Sequence, residues 1–126
     1  MTHNPLPPNA AVWFEIPVTD MARAKAFYAA VVGGPLTDDN AGPNPMAVFP
    51  MASDQSVSGH LYPGKPAPRG TGPTISLAVQ DLEAAMRRVK DAGGEVVSPA
   101  IAISAGRFAY CLDPDGNSFS VFVFSG

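Results

Sequence analysis

Polar and apolar positions alternate through residues 11–18, AVWFEIPV. Phe14, Ile16 and Val18 point one way, and Trp13, Glu15 and Pro17 point the other. A period of two with one apolar side predicts a strand with one buried face. Asp20 follows as an N-cap, because its carboxylate can accept from an orphan N–H of the first helical turn. Residues 20–32 then carry Ala24, Phe27, Tyr28 and Val31 on one helical stripe, and Gly33 supplies a left-handed stop.

The same pattern returns 61 residues later. Val18-Thr19-Asp20-Met21 reappears as Val79-Gln80-Asp81-Leu82, and Gly33 as Gly94. Residues 74–80 alternate, with Ile75, Leu77 and Val79 on the apolar side. A second helix is expected over 81–92, with Leu82, Ala85, Met86 and Val89 on its stripe. Short strands are expected near 36–38, 46–49 and 56–61 in the first copy. In the second they are expected at 95–97, 107–112 and 118–124, the last two joined by a turn over Asp113-Pro114-Asp115-Gly116-Asn117. The Pro- and Gly-rich run 63–73 reads as a linker.

The expected fold is therefore α+β. Two βαβββ modules, at about 11–62 and 74–126, form a curved mixed sheet around a cleft within one domain. A ligand belongs where the copies face each other, since neither half encloses one alone. Alternation places Trp13, Glu15, Thr74, Ser76, Ser118, Ser120 and Phe122 on the inner faces, and Tyr110 is added as a ligand-binding candidate.

Composition narrows the classes. The chain has 126 residues, 46% hydrophobic and 15% charged, which fits one folded domain. No apolar run reaches the roughly 18 residues that span a bilayer. The formal charge is −3 with scattered basic residues, which gives no footprint for nucleic acid. Residues 1–10 lack the charged and apolar regions of a signal peptide, and the single Cys111 permits no internal disulfide. A cytoplasmic location is expected.

The runs WFEIPVTDMARAKAFYAAVVGG, TGPTISLAVQDLEAAMRRVKDAGGEVVSP and GRFAYCLDPDGNSFSVF resemble the glyoxalase/bleomycin resistance protein/dioxygenase group, the vicinal oxygen chelate superfamily. The resemblance implies a small-molecule cleft and a homodimer. Enzymes of that group hold one divalent metal through His, Glu or Gln on the first and last strands of both modules. Carried over one at a time, those positions fall on Trp13, Thr74, Ser120 and a residue near Gly59, and none of the four is such a ligand. Glu15 and His60 are the remaining metal candidates. Alternation sends His60 to the cleft, whereas the 61-residue repeat matches it to Val121 on the helix side. No metal or other cofactor is expected.

Three functions compete. The first is a metal-independent module that binds or sequesters a small organic molecule. The second is a metal-dependent lyase, isomerase or dioxygenase. The third is a metal-free enzyme with Glu15 as acid/base. No Ser-His-Asp constellation, GxGxxG run or P-loop appears.

Overall fold

The computed structural model describes residues 5–125. The first module contains β1 (Trp13–Val18), α1 (Met21–Val32), β2 (Thr37–Asp39), β3 (Met46–Val48) and β4 (Ser58–Pro63). The second contains β5 (Ile75–Ala78), α2 (Leu82–Asp91), β6 (Glu95–Val96), β7 (Ile101–Ile103), β8 (Gly106–Leu112) and β9 (Ser118–Phe124). One sheet has the order β1-β4-β3-β2 and the other β5-β9-β8-β6, with β7 also on β8. In each, the first strand lies parallel to the last and the remaining pairs are antiparallel.

The duplication extends to the caps. Asp20 accepts from Arg23 N and Asp81 from Ala84 N, each from an extended backbone. Gly33 ends α1 at φ 78°. Gly93 and Gly94 end α2, as the sequence suggests, and divide the work between them. Ala92 is the cap, Gly93 takes φ 102°, and Gly94 serves a close approach. A Cβ on Gly94 would lie 2.6 Å from the Phe27 ring.

One strand was not foreseen. β6 and β7 occupy successive stretches of the same edge of β8. Between them Ser98 Oγ accepts from Tyr110 N, and Pro99 has no N–H to give. They form one edge strand interrupted at Pro99, which preserves the βαβββ plan. β4 also runs two residues later than expected at each end.

Ile16 and Val18 are buried as alternation predicts, and Phe14 packs against the same core. That core is shared by both modules. Phe27 and Tyr28 of α1 pack against Phe119 of β9 with ring centroids 5.8 and 5.5 Å apart, and Tyr28 also meets Phe49 at 5.3 Å. The helices lie together on this side. The opposite faces of the sheets carry the candidate site, and β1 and β5 are their neighbouring free edges.

Candidate functional site

The direction of His60 follows from its neighbour. A Cβ on Gly59 would sit 2.4 Å from the Phe14 ring, so Gly59 faces the core and allows that ring to lie on its backbone. His60 therefore faces the other way, with Glu15, its register partner on β1. In the second module the equivalent pair is Ser76 and Ser120. The offset is 61 residues between β1 and β5 but 60 between β4 and β9. The repeat slips by one residue, which explains why it had matched His60 to the wrong face. His60, not Gly59, is the structural counterpart of Ser120.

Three side chains on this face are joined in series. Trp13 Nε1 donates to His60 Nδ1 at 2.8 Å, and His60 Nε2 lies 3.3 Å from Glu15 Oε1. An indole N–H can only donate, so Nδ1 is the acceptor and the neutral ring carries its proton on Nε2, toward the carboxylate. His60 is 6% exposed, whereas the Trp13 residue and the Glu15 side chain are 42% and 65% exposed. Glu15 and His60 line a cavity of about 310 Å³ with Pro43, Asn44, Met46 and Tyr62. Arg107 pairs with Glu83.

The second module presents a different surface. Ser120 donates to Ser76 Oγ at 2.6 Å, and Thr74 and Ser118 share a hydroxyl contact of the same length. Beside them runs a row of rings. Phe108 and Phe122 stack with centroids 5.8 Å apart and planes 7° apart; Tyr110 and Phe124 extend the row at 5.2 and 4.9 Å. Tyr110 is 43% exposed and Phe124 72%. Phe108 and Phe124 were missed by the sequence reading, although they lie two residues from Tyr110 and Phe122 and so share their face.

The structure thus brings Trp13, Glu15 and His60 into one constellation, and Ser76, Ser120, Tyr110 and Phe122 onto one face of the other sheet. The seam between the sheets is recessed. Phe14 and Ser58 share a cavity of about 300 Å³ with Ser76, Leu77 and Ala78. Glu15 and Pro17 share a smaller one, about 130 Å³, with Ile75 and Ser118. Cys111 is buried away from these surfaces, and burial pushes its thiol up to about 11, which suits an inert core residue.

A model of the glyoxalase/bleomycin resistance protein/dioxygenase superfamily matches residues 10–121. The chain belongs to that superfamily. It is 36% identical over 115 residues to the CFP32 protein of Mycobacterium tuberculosis (strain CDC 1551 / Oshkosh), covering 87% of this chain and 42% of that one. It is 30% identical over 129 residues to the anthracycline biosynthesis protein DnrV of Streptomyces peucetius, covering 91% and 47%. The chain therefore spans less than half the length of these curated relatives. Among solved structures, TnmS3, an antibiotic binding protein from Streptomyces sp. CB03234, superposes with a TM-score of 0.66 at 27% identity, covering 95% of this chain and 99% of that one.

Members of the superfamily usually bind a divalent metal, and the residues here do not fit one. With the fourth position assigned to His60, the set reads Trp13, His60, Thr74 and Ser120. His60 alone has a ligating side chain, and Trp13 occupies its Nδ1 lone pair while Nε2 carries the proton. Among the described residues no group of three or more His, Cys, Asp or Glu could hold a metal ion. No buried side-chain nitrogen or oxygen lacks a hydrogen-bond partner there either.

Proposed function

We propose that this protein binds a small organic molecule with a planar aromatic portion, without a metal, on the sheet faces opposite the helices. One observation carries the reading: the row Tyr110, Phe108, Phe122 and Phe124 stands partly exposed beside the small, mutually bonded Ser76 and Ser120. Exposed rings next to small residues give a flat aromatic molecule room to stack, and each such contact adds about 0.5–1.5 kcal/mol beyond area burial. The names of two relatives support this ligand class. DnrV is an anthracycline biosynthesis protein and TnmS3 an antibiotic binding protein, and anthracyclines are built on planar fused rings. We propose Trp13, Glu15, Thr74, Ser76, Tyr110, Ser120 and Phe122 as the ligand-contacting set. Two copies of the chain complete the site, since a row of exposed rings on one copy gains cover from a second. The curated relatives, more than twice as long, have room for two such units in one chain.

The test is a titration of the purified protein with an anthraquinone, followed by calorimetry and by the fluorescence of the single tryptophan, Trp13. Saturable micromolar binding that Phe122→Ala weakens at least fivefold supports the reading. Absence of binding to any planar aromatic tested overturns it.

A second reading rests on Glu15. A carboxylate 3.3 Å from His60 is equipped to take a proton from a bound ligand. Turnover abolished by Glu15→Gln, with ligand affinity retained, would favour an enzyme over a binding module.

A further inference from the structure

Glu15 is the carboxylate of the site, and its ionic surroundings are unusual for this chain. Arg23, Lys25, Arg69 and Arg107 pair with Asp115, Asp38, Glu95 and Glu83. The group within ion-pair distance of Glu15 among the described residues is His60, whose Nδ1 accepts from the Trp13 N–H. His60 Nε2 lies 3.3 Å from Glu15 Oε1.

Aromatic rings stand beside this pair. Parallel register sets Glu15 beside His60, with Trp13 two residues before Glu15 and Tyr62 two residues after His60 on the same face. The Trp13 and Tyr62 rings lie 5.9 and 6.2 Å from the imidazole, on either side of the Glu15–His60 pair. Tyr62 lines, with Glu15, His60, Pro43, Asn44 and Met46, a recess of about 310 Å³ whose lining contains one carboxylate and no Lys or Arg; Trp13 is not part of that lining. Rings attract a cation through their faces, and a carboxylate without a counter-charge attracts it directly. An anion placed there would meet Glu15 instead.

We propose that this recess is an ammonium subsite: Glu15 takes a protonated amine of the ligand, Tyr62 flanks it within the recess, and His60, held by Trp13, is a positioning residue beside the carboxylate. The proposal rests on the aromatic-ligand reading and adds an amine-bearing arm to that ligand. The stacking row and the ammonium recess lie on different modules, so the ligand class is a planar aromatic joined to an aminoalkyl or amino-sugar group.

The test uses two probes: an anthraquinone with one aminoethyl side chain, and the same molecule N-acetylated. Each is titrated against the wild type, Glu15→Gln and Trp13→Phe by calorimetry at pH 7. The amine should bind at least tenfold tighter than the amide. Glu15→Gln should remove that preference. Trp13→Phe keeps a ring but frees His60 Nδ1; it should reduce the preference without abolishing it. Equal affinity of amine and amide for the wild type overturns the ammonium proposal and leaves the aromatic reading standing. A preference that survives Glu15→Gln also overturns it. Binding of neither probe overturns both readings.

Discussion

Tyr28, in the middle of α1, donates its hydroxyl to Asp113 Oδ2 at 2.7 Å, across 85 positions of chain. Asp113 opens the turn before β9, and it also accepts from Asp115 N, Asn117 N and Asn117 Nδ2. A helix of the first module thus ties down the hairpin of the second. Burial first, and then the Asp113 carboxylate, hold the Tyr28 phenol well above its usual range.

Tyr28→Phe keeps the ring packing and removes that bond. The expected loss is about 1.5–3 kcal/mol, the range for a hydrogen bond to a charged group, read from urea unfolding at pH 7. The pH dependence has a definite sign. A phenol kept neutral in the fold but free to ionise when unfolded stabilises the protein below about pH 10. That contribution fades as pH rises toward the folded value. Wild type should lose stability above about pH 10 more steeply than Tyr28→Phe; parallel curves would refute this.

Gly59→Ala should be among the most damaging single changes in the first module. Its Cβ would stand 2.4 Å from both the Phe14 ring and the Phe14 carbonyl oxygen. Overpacking of this kind typically costs about 1–3 kcal/mol. Adding Phe14→Leu should recover part of the loss in a thermal melt, because the ring is half of the clash.

The metal prediction is negative. Purified protein should carry well under one equivalent of Ni, Zn, Mn or Fe, and a chelator should leave its melting temperature unchanged. His60 has no free lone pair while Trp13 donates to it. Stoichiometric metal lost on His60→Ala would revive the metalloenzyme reading.

Cys111 should resist thiol reagents at pH 8 in the folded protein and react at the unfolded rate in denaturant. Its side chain is fully buried, and a thiol raised to about 11 offers little thiolate at that pH. Above about pH 8.5 the unfolded thiol ionises first, so this group too withdraws stability as pH rises. Rapid labelling of native protein would show that β8 opens readily.

Much of this architecture was readable because it was written as periodicity. The β1 face of Ile16 and Val18, both Asp caps and the Gly33 stop each depend on residues within one turn or strand. His60 was not readable, since its direction depends on a one-residue slip between copies that only the pairing of β4 with β1 reveals. The break at Pro99 hid β7, because three residues with a proline two positions away carry little strand signal. Trp13 and Glu15 were nameable from alternation. Their link through His60 was not, because it joins residues 47 positions apart.

Arg88 of α2 reaches across to α1, where its guanidinium donates to the carbonyls of Ala30 at 2.7 Å and Val31 at 3.2 Å. Those carbonyls belong to the last turn of a helix, which has no acceptor-satisfying partner of its own. One half of the duplication therefore finishes the backbone of the other. A half standing alone would need another cap there. Expressed separately, 1–66 and 67–126 should remain largely unfolded, and mixing them should restore structure only through mutual templating. The intact chain should melt in one transition despite its two-copy plan.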